Sequence, residues 1–462
     1  MKKRIISAIA AILALSCLAG CSENGLPLTS GQDSSVDLAG STNSSTSGES
    51  TSSETSGSST ESTSQSNPES GSSTENEISS PVEVSSTAGG EIQPVEISAD
   101  NMLTSIKLFD VISQDKENSM FSPLSLNMAL GLIAEGAGGG SKTALDAYLG
   151  TDDYSAFADG YMQIVESQYN SHFDYEVDWD NVFEIANSFW ANNDLPLKED
   201  YRSRLTERFK AEVRNIDFGN KEKALGEING WVSEKTHKMI PSIISDYSDD
   251  IAAVLINTIY FESAWRNEWT LNEYDKRTFT MLDGSTKEIP LMYNGVSSYY
   301  ENDKATAFSC GYMNGLEFIG ILPKETGDFT LESLDIPSLL ESESFEYDVF
   351  ARMPRLEFET EIPLTETLKA FGLSEIFDEN AADFSGISDV PLFVSDVLQK
   401  TKLELDENGT KAVAVTGIMM GTNAIEPIER EIKEVTLDRP FAFMIHDWAE
   451  DQIVFIGKVT DP

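Results

Sequence analysis

Histidine and cysteine are scarce in this chain of 462 residues, with three of each. Cys17, Cys21 and Cys310 cannot build a disulfide framework, so stability must come from an ordinary core. The 40% hydrophobic content permits one. None of His172, His237 and His446 sits in a His-Glu-x-x-His or paired-cysteine arrangement, so no metal or cofactor is expected. Basic residues are also few: 32 Lys and Arg stand against 78 Asp and Glu, a formal net charge of −46. Nucleic acid is thereby disfavoured as a partner, because binding it depends on Lys and Arg neutralising phosphates. A Gly-x-Ser-x-Gly nucleophile elbow is missing too. The run Gly136-Ala137-Gly138-Gly139-Gly140-Ser141-Lys142-Thr143 has serine where a phosphate loop needs glycine, and it follows a helical rather than a strand pattern. Its glycines read as the end of one helix, with Ser141 capping the next. A carboxylate pair of the glycosidase kind has no motif to mark it in so acidic a chain. A surface hydrolase remains a rival without support, and no enzyme is expected.

From Ser22 to about Ala99 there is no Lys, no Arg and no aromatic residue, while Ser, Thr, Gly and Glu dominate. Such a segment cannot bury enough apolar surface to offset chain entropy, so 22–94 is expected to be a disordered tether. Its end-to-end distance would be on the order of 50 Å. Before it, Lys2-Lys3-Arg4 precedes an apolar run from Ile5 to Leu15, too short for a membrane-spanning helix. The run ends in Leu18-Ala19-Gly20-Cys21, which looks like a bacterial lipobox. That resemblance implies a leader over 1–21, cleavage before Cys21, and lipid attachment to the Cys21 sulfur. Several acyl chains together make a stable anchor. The expected location is the extracellular face of a bacterial membrane. Cys310 reads as a small core hydrophobe.

The folded part is expected over 95–462 as one α+β domain. Asp100 is placed to cap a helix through Leu108 and Ile112. Strand-like runs include Ile251-Ala252-Ala253-Val254-Leu255-Ile256 and Gln452-Ile453-Val454-Phe455-Ile456. One stretch stands apart. After Glu407-Asn408-Gly409, the residues Thr410, Ala412, Ala414 and Thr416 alternate and are all small. In a strand these four share one face, and a face of Thr and Ala can enter a crowded sheet without displacing larger neighbours. The segment then runs to Ile425 with no partner strand signalled, as a strand held in reserve.

This stretch resembles the hinge of the serpins, the serine protease inhibitor superfamily, in which a loop inserts into the protein's own sheet. Similar stretches recur in family order. Asn118-Ser119-Met120-Phe121-Ser122-Pro123-Leu124-Ser125-Leu126 resembles the opening of the shutter helix. Ile228-Asn229-Gly230-Trp231-Val232, with Thr236 and Ile240, resembles a second helix motif. Leu255-Ile256-Asn257-Thr258-Ile259-Tyr260-Phe261 through Trp265 is similar to a central strand. Pro354-Arg355-Leu356 and Ala382-Asp383-Phe384-Ser385-Gly386 match more loosely, and Asp438-Arg439-Pro440-Phe441-Ala442-Phe443 with Phe455-Ile456-Gly457-Lys458-Val459 match the C-terminal strands closely. The resemblance implies the serpin fold, with three β-sheets, about eight to nine helices and an exposed reactive-centre loop.

What it implies for function is inhibition without catalysis. A target serine protease attacks the loop, an acyl-enzyme forms, and the loop's first half inserts as a new strand. Glu407, Gly409, Thr410, Ala412, Ala414 and Thr416 would be the hinge. Ser122, Ser125, Asn257, Trp265 and Gln399 would gate the sheet at shutter and breach. Departures from the pattern are Lys411, Val413 and Val415 on the outward face of the hinge, and Gln399 where many members carry a shutter histidine. Counting forward from Glu407 puts the cut between Asn423 and Ala424, with Met420 and Thr422 as nearby alternatives. Counting back from Pro440 puts it near Glu429-Arg430. With no basic residue from Ile418 to Ile425, an elastase-like or subtilisin-like protease fits better than a trypsin-like one. The inhibitor is expected to be a monomer. A non-inhibitory serpin-fold binding protein is the alternative.

Overall fold

The structure is a computed structural model that describes residues 7–17, 101–114, 118–170, 182–249, 251–296, 298–410, 430–449 and 451–462. Its organising element is the strand Ile251–Ala264, in which every residue is buried. Its apolar run Ile251–Ile256 suits a strand covered on both faces. Alternate side chains go to opposite sides. Val254 and Ile256 pack with Ala224, Ile228, Trp231 and Val232 of the helix Lys221–Lys235. Leu255, Ile259 and Phe261 join the larger core, which includes the helix Pro123–Ala134.

Each helix motif has a physical task. Trp231 meets Trp190 edge to face, with centroids 6.3 Å apart. The Asn229 side chain donates to Ile244 O (2.8 Å) and accepts from Ile243 N (2.9 Å), tying down the loop beyond the helix. Thr236 Oγ1 donates to Val232 O and accepts from Ile240 N, which closes the helix end. On the other side, Ser122 caps its helix by accepting from Ser125 N at 3.2 Å, and Pro123 fits the first turn, where no backbone donor is needed.

The largest sheet runs in the order Leu356–Pro363, Leu392–Leu405, a shared slot, Ile251–Ala264, Val182–Asn192 and Glu212–Ile216. Two segments sit in the slot. At its upper end the short strand Gly409–Thr410 pairs antiparallel with both neighbours, Gly409 against Ala264 and Thr410 against Ser263 and Leu405. Below it, Ser7–Cys17 forms a strand parallel to both. That segment lies within the expected 1–21 leader.

A second sheet of six antiparallel strands includes the C-terminal pair Phe441–Asp447 and Gln452–Val459. A third joins Met292–Val296, Asp348–Met353 and Ile432–Thr436. The α+β class holds, but the counts shift. Among the described residues there are four sheets rather than three, the fourth being the hairpin of Lys276–Thr280 with Thr286–Pro290. Among the described residues seven α-helices are longer than four residues and an eighth, Thr365–Leu368, has four, against the expected eight or nine. The extra hairpin closes at Asp283-Gly284, with Gly284 at φ +80°, a turn that its Asp-Gly pair favours.

Candidate functional site

The two strands that flank the slot are held together from below by the start of the Pro123–Ala134 helix. Ser122 N donates to Gln399 Oε1 (2.8 Å), and Gln399 Nε2 donates back to Ser122 O (3.1 Å). Ser125 Oγ donates to Asn257 Oδ1. Asn257 Nδ2 continues to Asn187 Oδ1 (2.7 Å), and Asn187 Nδ2 to Phe209 O (2.9 Å). Thr401 Oγ1 adds a bond to Met120 O at 3.2 Å. Ser122, Ser125, Asn257 and Gln399 are all buried with no measurable exposure. The network therefore crosses from the Leu392–Leu405 strand, through the helix, to Ile251–Ala264 and its outer neighbour. All its groups are neutral, and each buried polar atom in it has a partner, as burial requires. Gln399 uses both ends of its amide, which a single imidazole nitrogen cannot do.

The upper end of the slot is built differently. Trp265 N donates to Asn408 O (2.9 Å), Trp269 N to Glu407 O (3.0 Å) and Trp265 Nε1 to Asp406 O (2.8 Å). Arg355 grips both carboxylate oxygens of Glu407, at 2.8 and 2.6 Å, and reaches Glu273 with its remaining nitrogen at 2.9 Å. That guanidinium holds the Glu407 carboxyl below the ordinary glutamate range. Burial pushes the neighbouring Asp406 carboxyl up, against bonds from Asn408 and Gly409 that lower it. Tyr312 stacks on Trp265 with centroids 4.3 Å apart, and its hydroxyl lies 2.9 Å from Thr410 Oγ1.

Gly409 has a specific reason to be glycine. Its φ is +148°, and a Cβ would lie 2.3 Å from Ser263 O and 2.7 Å from Ala264 Cα. Thr410 is fully buried, as expected for the inward face. Lys411, Ala412, Val413, Ala414 and Thr416 lie outside the described residues, as do Met420, Thr422, Asn423 and Ala424 with their cut site. Cys21 and the tether also lie outside them. Cys310 is buried, and burial raises its thiol well above the ordinary range. Among the described residues no group of His, Cys, Asp and Glu is placed to hold a metal ion, and no helix is long and apolar enough to cross a membrane.

The structure thus brings Ser122, Ser125, Asn257 and Gln399 into one network, and Glu407, Gly409, Thr410 and Trp265 into a second. Reading the sequence alone misses Asn187, Thr401 and Tyr312 and gives Arg355 no role. Their partners are 70, 281, 98 and 52 positions away in sequence, beyond any local pattern.

The family model described as serpin (serine protease inhibitor) matches residues 99–462. An uncharacterised serpin-like protein of Methanosarcina acetivorans is 30% identical over 369 residues, which cover 77% of this chain and 84% of the relative. Among solved structures, the thermophilic serpin tengpin in its native state is similar at 29% identity and a TM-score of 0.67, over 80% of this chain and 97% of that one. Thyroxine-binding globulin in complex with thyroxine is similar at 25% identity and a TM-score of 0.64, over 79% and 98%.

Proposed function

Because this chain belongs to the serpin family, a family of protease inhibitors rather than enzymes, we propose that it inhibits serine-type endopeptidases as a suicide substrate. The observation that carries this reading is the position of Gly409 and Thr410. They already pair antiparallel at the top of the slot, with Thr410 buried. A loop that continues in the same direction would extend that strand between Ile251–Ala264 and Leu392–Leu405. In this reading a protease attacks the Asn423–Ala424 bond and forms an acyl-enzyme. Insertion of the loop then carries the attached protease along the sheet and distorts its active site before water can release it. The native state is accordingly one held by a kinetic barrier.

The loop residues from Ile418 to Ile425 favour elastase-like or subtilisin-like targets. The mature protein would be a monomer, lipid-anchored through Cys21 at the outer face of a bacterial membrane, with the 22–94 tether holding the domain away from it. The acidic composition supports no nucleic-acid partner.

The test is to mix the domain 95–462 with elastase, subtilisin and trypsin and examine denaturing gels and intact masses. Inhibition gives a band at the summed mass that survives boiling in detergent, and the released peptide's mass locates the bond. The likeness to thyroxine-binding globulin supports a second reading, a serpin-fold surface binding protein that does not inhibit. That reading predicts cleavage of the loop with neither trapping nor a gain in heat stability.

A further inference from the structure

Asn408-Gly409, the pair through which the hinge enters the sheet, has a reactive chemistry of its own. An asparagine side chain can be attacked by the backbone nitrogen of the next residue, and a glycine there has no Cβ to hinder the ring that forms. Among the described residues such pairs are Asn229-Gly230, Asn294-Gly295, Asn314-Gly315 and Asn408-Gly409. In the first three a carbonyl holds one of the reacting nitrogens. Asn229 Nδ2 donates to Ile244 O (2.8 Å), Asn294 Nδ2 to Asn267 O (2.8 Å) and Gly315 N to Tyr312 O (3.2 Å). At the hinge the acceptor is a carboxylate. Asp406 accepts from the Gly409 N–H and from Asn408 N (2.8 Å), and its second oxygen accepts from Asn408 Nδ2 at 3.3 Å. One group thus touches both the nitrogen that attacks and the nitrogen that leaves. We propose that Asp406, Asn408 and Gly409 form a self-modification site, in which the hinge asparagine is converted to aspartate and isoaspartate with Asp406 as general base and acid.

The step balances within the chain and one water. The Asp406 carboxylate takes the proton from Gly409 N, and that nitrogen bonds to Asn408 Cγ. The bond from Cγ to Nδ2 then breaks, and the proton passes from Asp406 to the nitrogen, which departs as ammonia. A cyclic imide is left across Asn408 and Gly409. Water opens it at either carbonyl, giving aspartate or isoaspartate. A general base must lie within hydrogen-bond reach of the proton it takes, as Asp406 does. Burial raises its carboxyl, which makes it the stronger base. Asn408 is only half-buried, so water reaches it.

The products alter the hinge where it is held. Either one adds a carboxylate beside Asp406 and Glu407, and like charges repel. In isoaspartate the main chain also runs through the former side chain and gains a carbon. Asn408 O then leaves the place where Trp265 N holds it at 2.9 Å, and Gly409 and Thr410 lose their register against Ala264 and Ser263. The site stands on this geometry alone. Its effect, an inhibitor that switches itself off with age, rests on the inhibitory reading above.

The test ages the full chain at neutral pH beside the variant Asp406→Asn. Each Asn-Gly peptide is followed by mass spectrometry, with isoaspartate separated from aspartate. In the unaltered chain Asn408 should convert about tenfold faster or more than Asn229, Asn294 or Asn314, and faster by a similar factor than Asn408 in Asp406→Asn. Conversion at Asn229, Asn294 and Asn314 should match between the two proteins and report an intact fold; where it differs, the comparison within the unaltered chain decides. Equal rates at Asn408 in two intact proteins, or a rate there no higher than at the other three, overturns the inference. Trapping of subtilisin, each protein measured against its own fresh value, should fall in step with conversion in the unaltered chain and more slowly in Asp406→Asn. Conversion without loss of trapping overturns the switching effect. No trapping by fresh protein removes the inhibitory reading and leaves the modification site in place.

Discussion

Beneath the slot, serine, asparagine and glutamine side chains tie its flanking strands to one helix with neutral, fully buried hydrogen bonds; at its upper end, an arginine and a glutamate pair in partial contact with solvent. Arg355 and Glu407 keep 47% and 26% of their side-chain surface exposed, whereas Ser122, Ser125, Asn257 and Gln399 keep none. The difference has energetic consequences. A neutral buried network loses much when one member is removed, because the partners left behind cannot turn to water. A half-exposed ion pair loses little, since water and salt already screen it. The lower network is the stronger tie and is indifferent to pH. The upper pair is weaker and responds to it.

The largest break in this comparison comes from Thr410→Arg. It places a charge where Thr410 is enclosed beside Tyr312. Trapping should be abolished while loop cleavage persists, as read on denaturing gels; continued trapping would show that Thr410 does not enter the sheet.

Next is Gln399→Glu, which makes the lower network titratable. Protonated, the carboxyl can still accept from Ser122 N and donate to Ser122 O. Ionised, it is a buried, unpaired charge at a cost of about 3–5 kcal/mol. Burial holds such a group's folded pKa above its unfolded value. Stability should therefore be near that of the parent below the ordinary glutamate range and fall as pH rises above it. Thermal inactivation half-lives at pH 4 and pH 8 test this, and equal losses at both would contradict it.

A smaller effect is expected for Asn257→Ala, which strands Ser125 Oγ and the Asn187 side chain. A loss of about 1–3 kcal/mol, taken up in the unfolding barrier, should shorten the lifetime of the native state roughly five- to 150-fold at fixed temperature.

The smallest belongs to Glu407→Gln, under about 1 kcal/mol after screening. The lowered Glu407 pKa means that its contribution is present above the ordinary glutamate range and is lost as pH falls through the lowered value. Asp406, raised by burial, works the other way: its contribution weakens as pH climbs through its raised value. Limited proteolysis near the hinge should therefore accelerate in acid in the parent and respond less in Glu407→Gln.

How much of this was legible in the sequence follows the same division. Ser122, Ser125 and Asn257 lie in runs whose composition marks them, a cap followed by Pro and an amide inside an apolar strand. Their convergence is visible as soon as the runs are assigned. Gly409 and the inward face of Thr410 follow from alternation and from the turn before them. Tyr312 and Arg355 were not legible in role, because a lone Tyr or Arg carries no periodic signal and its partner is set by how distant segments pack. The segment 7–17 is the sharpest case. Its composition reads as a targeting segment, its structure is a strand, and an apolar run alone does not signal which strands it pairs with.

The slot also has a length. From the row at Ser263, where the hinge is seated, down to Ile251 there are twelve residue steps. At about 3.3 Å per step this is a track of about 40 Å. Under the inhibitory reading the first tooth of a zipper is already engaged, and each further tooth advances the loop and its load by one step. A stall part-way would leave the load part-way, short of the far end and closer to release by water. The reach of the protein is then set by the length of one buried strand, which makes the sheet a ruler as well as a spring.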